Sequence, residues 1–176
     1  MRPMPRLHEP APDFTAPAVR GAGEEVVARL GALRGRWVVL FFYPRDFTTV
    51  CPTEILELSK RMPELRALGA EALALSVDDL PTHRRWIAEI LGPLELPLVA
   101  DPDKAIAGAY GALLEPDGVA ARATYLVDPG GVVQYAAFHP RQVGRSISDL
   151  LRVLEALRTG QGTPAEWHTG QPLLGR

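Results

Sequence analysis

Apolar positions along the chain alternate between unbroken runs and helical spacing. Trp37 to Tyr43 is continuously apolar, with β-branched and aromatic residues, which predicts a central strand covered on both faces. From Val50 towards Leu68 the pattern changes. Ile55, Leu58, Met62, Leu65 and Leu68 recur at helical spacing, and Pro63 predicts a kink or short break. Ala70 to Val77 reads as a second buried strand, ending at Asp78-Asp79. Pro81 to Leu91 reads as a helix stopped by Gly92-Pro93. Pro97 to Ala100 is a short strand. Asp101 to Tyr110 is a short helix, capped by Asp101 or Asp103 and closed by Gly111. Strands at Ala123 to Val127 and Val132 to Phe138 flank the turn Asp128-Pro129-Gly130-Gly131. Ser146 to Leu157 is the last clear helix, with Ile147, Leu150, Leu151, Leu154 and Leu157 on one face.

The ends are less regular. Residues 1–10 read as an irregular arm, and Ala11 to Thr15 as an extended segment. Glu25 to Leu30 is a short strand candidate, with Gly21 and Gly23 before it marking a hairpin turn. Leu33 to Arg36 is a turn. The tail from Thr159, rich in Gly, Thr and Pro, wraps or frays. From Trp37 onward the order is β, α, β, α, β, α, β, β, α. Parallel strands with crossover helices, then a hairpin, imply an α/β fold with a mixed central sheet flanked by helices.

Length and composition narrow the class. A chain of 176 residues, 47% hydrophobic and 23% charged, is expected to form a single domain over 1–176 with a proper core. A net charge of −2 and scattered Arg residues give no sign of nucleic-acid or membrane-surface binding. No apolar stretch approaches the roughly 20 residues of a membrane span. Met1 to Pro12 is proline-rich without an apolar centre, so it does not read as a secretory signal. A single cysteine excludes an internal disulfide framework, and a reducing cytoplasm is the expected compartment. Few His residues and no cofactor-binding motif lead to the expectation of no metal and no cofactor.

That cysteine, Cys51, falls where the buried strand ends and a helix begins. The free N–H groups and dipole of a helix's first turn favour an anion, and the thiolate is the nucleophilic form of cysteine. Pro52 suits a first turn as well. A small buried hydrophobe remains the competing reading.

The neighbours are more specific. Tyr43-Pro44-Arg45-Asp46-Phe47-Thr48-Thr49-Val50-Cys51-Pro52-Thr53-Glu54 contains P-x-x-x-T-x-x-C and closely resembles the active-site motif of the peroxiredoxins. It is most similar to the alkyl hydroperoxide reductase C, or typical two-cysteine, group. Ala11-Pro12-Asp13-Phe14-Thr15 resembles that family's opening motif. Arg122-Ala123-Thr124-Tyr125-Leu126-Val127-Asp128-Pro129 resembles its second landmark, an arginine opening a strand. The likeness covers about 11–170. It implies a thioredoxin-like fold and a thiol peroxidase that forms dimers or larger rings, with a peroxide as substrate and an external thiol or thioredoxin-like protein as reductant.

The resemblance assigns roles residue by residue. Cys51 is the nucleophile, Thr48 orients the peroxide, Pro44 shields the sulfur, and Arg122 supplies charge and fixed donors. From the residues alone, Thr48 also reads as a helix cap, Pro44 as a strand terminator and Arg122 as a surface residue. Glu54, one helical turn after Cys51, is placed to pair with an arginine or to sit favourably in the first turn. Arg145, in Val143-Gly144-Arg145-Ser146, matches a further arginine near the site. His83 and Trp86 read as packing and positioning residues. The likeness breaks in Gly162-Thr163-Pro164-Ala165-Glu166-Trp167, where the two-cysteine enzymes carry a resolving cysteine and this chain has Thr163. A hydroxyl cannot condense with a sulfenic acid to a disulfide, so a one-cysteine mechanism is expected. The missing second thiol also motivates two other readings: a peroxide sensor that relays oxidation to a partner, or a chaperone-like oligomer without turnover.

Overall fold

The computed structural model describes residues 4–175, which group into two compact units that divide between Gly144 and Arg145. The first unit is built on seven strands: β1 (Thr15–Gly21), β2 (Glu24–Arg29), β3 (Trp37–Phe42), β4 (Ala70–Ser76), β5 (Leu94–Ala100), β8 (Arg122–Val127) and β9 (Val133–His139). A separate two-stranded ribbon, β6 (Leu113–Leu114) with β7 (Val119–Ala120), completes its strands. The sheet order is β2-β1-β5-β4-β3-β8-β9. β3, β4 and β5 run parallel, and every other pairing is antiparallel.

The strand pattern explains the two cores of this unit. Side chains alternate across a strand, so Val38, Leu40 and Phe42 face one side of β3. There they join Tyr110, Tyr125 and residues of α4 (Ala105–Ala109) in one cluster. Phe42 packs 5.4 Å from Tyr110 and edge-on to Tyr125, ring centres 6.2 Å apart. The other face of the sheet is covered by α1 (Cys51–Lys60), α2 (Met62–Ala67) and α3 (Leu80–Trp86). Leu40 is fully buried between these layers. Leu40→Ala is expected to cost about 2–5 kcal/mol, read as a lowered midpoint in chemical denaturation.

Local chemistry accounts for where the elements break. Pro63 lies in the first turn of α2, and the expected break falls just before it, at Arg61. The predicted helix Pro81 to Leu91 is regular only to Trp86. Residues Ile87–Leu91 form a wider π-type turn, closed by Gly92 N–H donating to Ile87 C=O at 2.8 Å. β5 starts three residues before Pro97, earlier than the pattern indicated. Proline lacks a ladder donor, and the β1–β5 register slips beside it, between Leu98 and Leu94. The helix expected from Asp101 begins only at Ala105, with Lys104 at its N-cap; Asp101 lies ahead of it, its carboxylate accepting from Ile106 and Ala107 N–H in the first turn.

Two expectations about the ends need correction. The described part of the N-terminal arm is not irregular throughout. His8 N–H donates to Val133 C=O, Val133 N–H donates to Glu9 C=O, and Ala11 N–H donates to Gly131 C=O. Residues 1–3 lie outside the described residues. The extended segment at Ala11 to Thr15 leads into a strand that the pattern did not indicate, Thr15–Gly21, paired with β2 through the Gly21–Gly23 turn.

The second unit contains α5 (Ile147–Thr159), N-capped by Ser146, whose hydroxyl accepts from Asp149 N–H. Gly160 at φ +63 ends it in the left-handed conformation that glycine adopts without strain. The tail then closes on itself: Gly162 N–H donates to Gly175 C=O at 2.7 Å, and Leu174 N–H to Gly162 C=O at 2.8 Å. Among the described residues, no helix is long and apolar enough to cross a membrane.

Candidate active site

The apolar run that makes β3 ends at Phe42, and the chain turns through Tyr43–Val50 into α1. Cys51 is the first residue of that helix, and Pro52 and Glu54 occupy its first turn. The expected start near Val50 therefore holds within a residue. Val50 itself has helical backbone angles, and no side chain caps the helix. The capping role considered for Thr48 is accordingly not filled. Thr48 is exposed, and its hydroxyl donates to the Arg45 carbonyl at 3.1 Å. Pro44 is buried.

Register brings a residue from far along the chain to the sulfur. β8 runs antiparallel to β3, with Phe41 opposite Thr124. Arg122 opens β8 two residues earlier, so it lies beyond the end of β3, where α1 begins. Its Nη1 donates to Cys51 Sγ at 3.4 Å and to Glu54 Oε2 at 2.7 Å, and its Nε donates to Arg141 C=O at 2.8 Å. The surface reading of Arg122 is thereby excluded: it is 3% exposed, and Glu54 is equally buried. A buried guanidinium between a thiol and a carboxylate is held by charge as well as by geometry. Cys51 is fully buried, so its sulfur meets only what enters through the surrounding side chains.

Of the six residues singled out from sequence, the structure joins Cys51, Glu54 and Arg122 by direct contact. Pro44 and Thr48 lie on the segment leading into the helix. Arg145 opens the second unit, immediately before the Ser146 cap.

A buried polar network behind the segment was missed. Asp46 Oδ1 accepts from the Tyr43 hydroxyl at 2.8 Å, and Asp46 Oδ2 lies 2.7 Å from His83 Nδ1. Asp46 N–H donates to Asp78 Oδ2 at 2.9 Å, and Ser76 Oγ donates to the same oxygen at 2.7 Å. Burial pushes the Asp46 carboxyl above the ordinary carboxylate range, although the hydrogen bonds from His83 and Tyr43 pull the other way. Burial, then the charge of Asp46, pushes the Tyr43 phenol well up. Trp86 stacks on Tyr43 with ring centres 5.7 Å apart, so the positioning reading of His83 and Trp86 has direct contacts behind it. The available signal was Asp46 itself, a charged residue between the aromatic Tyr43 and Phe47.

Comparisons with known proteins agree with this arrangement. Residues 7–136 match the model of the AhpC/TSA family. Peroxiredoxin-2 of Cricetulus griseus is 42% identical over 178 residues, spanning 96% of this chain and 89% of that protein. The reduced 2-Cys peroxiredoxin of Plasmodium vivax superposes with a TM-score of 0.91 at 33% identity, covering 95% of this chain and 91% of that one. AhpC of Mycobacterium bovis gives 0.85 at 32% identity, covering 94% and 99%. With one cysteine, placed at the start of a helix and against a buried arginine, the chain belongs to the AhpC/TSA family of peroxiredoxins, has their thioredoxin-like fold, and is a thiol-dependent peroxidase of one-cysteine type.

Proposed function

We propose that Cys51 reduces hydrogen peroxide or an organic hydroperoxide with Arg122, Thr48 and Pro44 as its working partners and Glu54 as the residue that holds Arg122. The observation that carries this is the single guanidinium nitrogen, Nη1, in contact with both Cys51 Sγ and Glu54 Oε2. The Cys51 thiolate attacks the terminal peroxide oxygen. An S–O bond forms, the O–O bond breaks, and the departing oxygen takes a proton and leaves as water or alcohol. A guanidinium has five N–H donors. Those at Nη2 are suited to the charge that builds on the leaving oxygen. Thr48 orients the peroxide from the exposed side, and Pro44 keeps water from the sulfur.

The Cys51 sulfenic acid has no second thiol in the chain to meet. An external thiol, of a thioredoxin-like protein or a small molecule, forms a mixed disulfide with it and releases water. A further thiol then frees Cys51. In this reading residues 1–176 act as one peroxidase domain, as a homodimer or larger ring, in a reducing cytoplasm. Close relatives that match over nearly the whole chain support turnover over a relay or chaperone role.

Cys51→Ser is the direct test. The variant is expected to fold and to lose peroxide consumption in the presence of a dithiol reductant. Retained turnover would remove Cys51 from the mechanism.

A further inference from the structure

We propose that His83 and Asp46 form a proton-sharing positioning pair for the peroxidase site, clamping the Tyr43–Val50 segment that delivers Cys51. The catalytic half of this inference rests on the peroxidase reading; the proton count does not. His83 Nδ1 lies 2.7 Å from Asp46 Oδ2, and His83 Nε2 lies 3.3 Å from the Val99 carbonyl. Both side chains are fully enclosed. A backbone carbonyl only accepts hydrogen bonds, so Nε2 carries a proton. At 2.7 Å a second proton lies between Nδ1 and Oδ2. Without it, two lone pairs would face each other where no water can part them, and burying an unsatisfied polar group costs about 1–3 kcal/mol. The pair therefore holds two protons and no net charge, whether written as imidazolium with carboxylate or as two neutral groups. Neutrality as a unit is what permits both groups to be buried.

The surroundings leave the pair no other partner arrangement. From just past the end of β3 the Tyr43 hydroxyl donates to Asp46 Oδ1. From the end of β4, Asp78 takes the Asp46 N–H and the Ser76 hydroxyl. From β5 comes the Val99 carbonyl. On α3, Asp79 is occupied as the helix cap, accepting from Thr82 N–H. His83 thus ties α3 and β5 to a residue five positions before Cys51. The same segment bears strain that needs such a tie. Phe47 has φ +54, a conformation disfavoured for a bulky residue. It is held between Trp86, with ring centres 6.4 Å apart, and Arg85, 5.3 Å above the ring. Strained backbone persists only where its surroundings over-determine it. With the clamp broken, Phe47 relaxes and carries Thr48 and Cys51 out of register with Arg122.

The test has a spectroscopic arm and a kinetic arm. In reduced protein labelled with nitrogen-15 histidine, His83 is expected to show two ring-associated protons. The one shared with Asp46 is strongly low-field, and His83→Asn assigns it by its loss. Asp46→Asn, which places an amide donor against Nδ1, is expected to remove the low-field resonance while Nε2–H remains. A single ring-associated proton in the unmodified protein would overturn the pairing, and this reading needs no core-emptying variant. In stopped flow, His83→Leu is expected to slow Cys51 oxidation by hydrogen peroxide about tenfold or more. His83→Asn, which still donates to Asp46 from near the Nδ1 position, is expected to recover to within about threefold. Oxidation of folded His83→Leu protein at the unmodified rate would overturn the positioning role. If the unmodified protein itself reacts no faster than a free thiol, the peroxidase reading and the catalytic half fall together, while the two proton resonances would still establish the pair.

Discussion

Arg122→Met is expected to slow oxidation of Cys51 by hydrogen peroxide by roughly 10²–10³-fold, the usual effect of deleting one preorganised donor at a developing negative charge. The motivation is the 3.4 Å contact between Nη1 and Sγ in a fully buried site. Stopped-flow fluorescence over a range of peroxide concentrations gives the second-order constant directly. A change of less than about threefold would make Arg122 a structural residue. The substitution also takes the Arg122 guanidinium away from Glu54. Its carboxylate, 2.7 Å from Nη1, would remain buried without that cation. Breaking a buried pair from one side costs about 3–5 kcal/mol, so Arg122→Met is expected to unfold at lower denaturant than the unmodified protein.

Stability and chemistry separate in the double variant. Adding Glu54→Gln removes the buried carboxylate's charge and is expected to restore part of the lost stability. It is not expected to restore the rate, because no donor returns to the peroxide. Recovery of both together would mean that Arg122 serves mainly to neutralise Glu54. Glu54→Gln alone keeps a side chain of the same shape beside the guanidinium, so its effect on rate is expected to be smaller than that of Arg122→Met.

The parts of the fold that could be read in advance are those decided locally. The unbroken run Trp37–Tyr43 can satisfy its side chains only inside a sheet, and the spacing from Ile55 to Leu65 only on a helix. The turn at Asp128–Gly131 is likewise written in residues that bend the chain. Strand order was not legible, because it depends on which edges meet after the crossovers form. The arm up to Pro10 carries no pattern of its own because the ladder that orders His8 and Glu9, at Val133, is over a hundred residues away in sequence. The site divides in the same way. Cys51 and Glu54 share one helical turn, so their proximity follows from spacing. Arg122 was reachable only through its likeness to a family landmark, since a charged residue before a strand otherwise suggests solvent. His83 and Asp46 lie 37 residues apart and meet only because α3 crosses behind the segment leading into α1. Neither residue alone signals a buried pair.

Thr163→Cys is expected to convert the product of peroxide treatment from an oxygen adduct to a disulfide. In the unmodified protein, one equivalent of peroxide should add a single oxygen to Cys51, or yield a mixed disulfide when a small thiol is supplied. Excess peroxide should carry the sulfur on to sulfinic acid, because no protein thiol intercepts the sulfenic acid. A cysteine at 163 in a second protomer would intercept it, forming a disulfide and releasing water. Two structural conditions apply. The Cα atoms must approach within about 7 Å, and Cys51, fully buried in the first turn of α1, must come out of that turn to be reached. Position 163 directly follows Gly162, which is held to Gly175 and Leu174 by two backbone hydrogen bonds, so opening that closure is expected to govern the rate of disulfide formation. Non-reducing electrophoresis and intact-mass measurement follow both products. A Cys51–Cys51 disulfide formed in the unmodified protein as fast as the sulfenic acid would replace the one-cysteine cycle with an intermolecular one. A Thr163→Cys protein that gives only sulfinic acid would show that the tail does not deliver position 163 to the partner's Cys51.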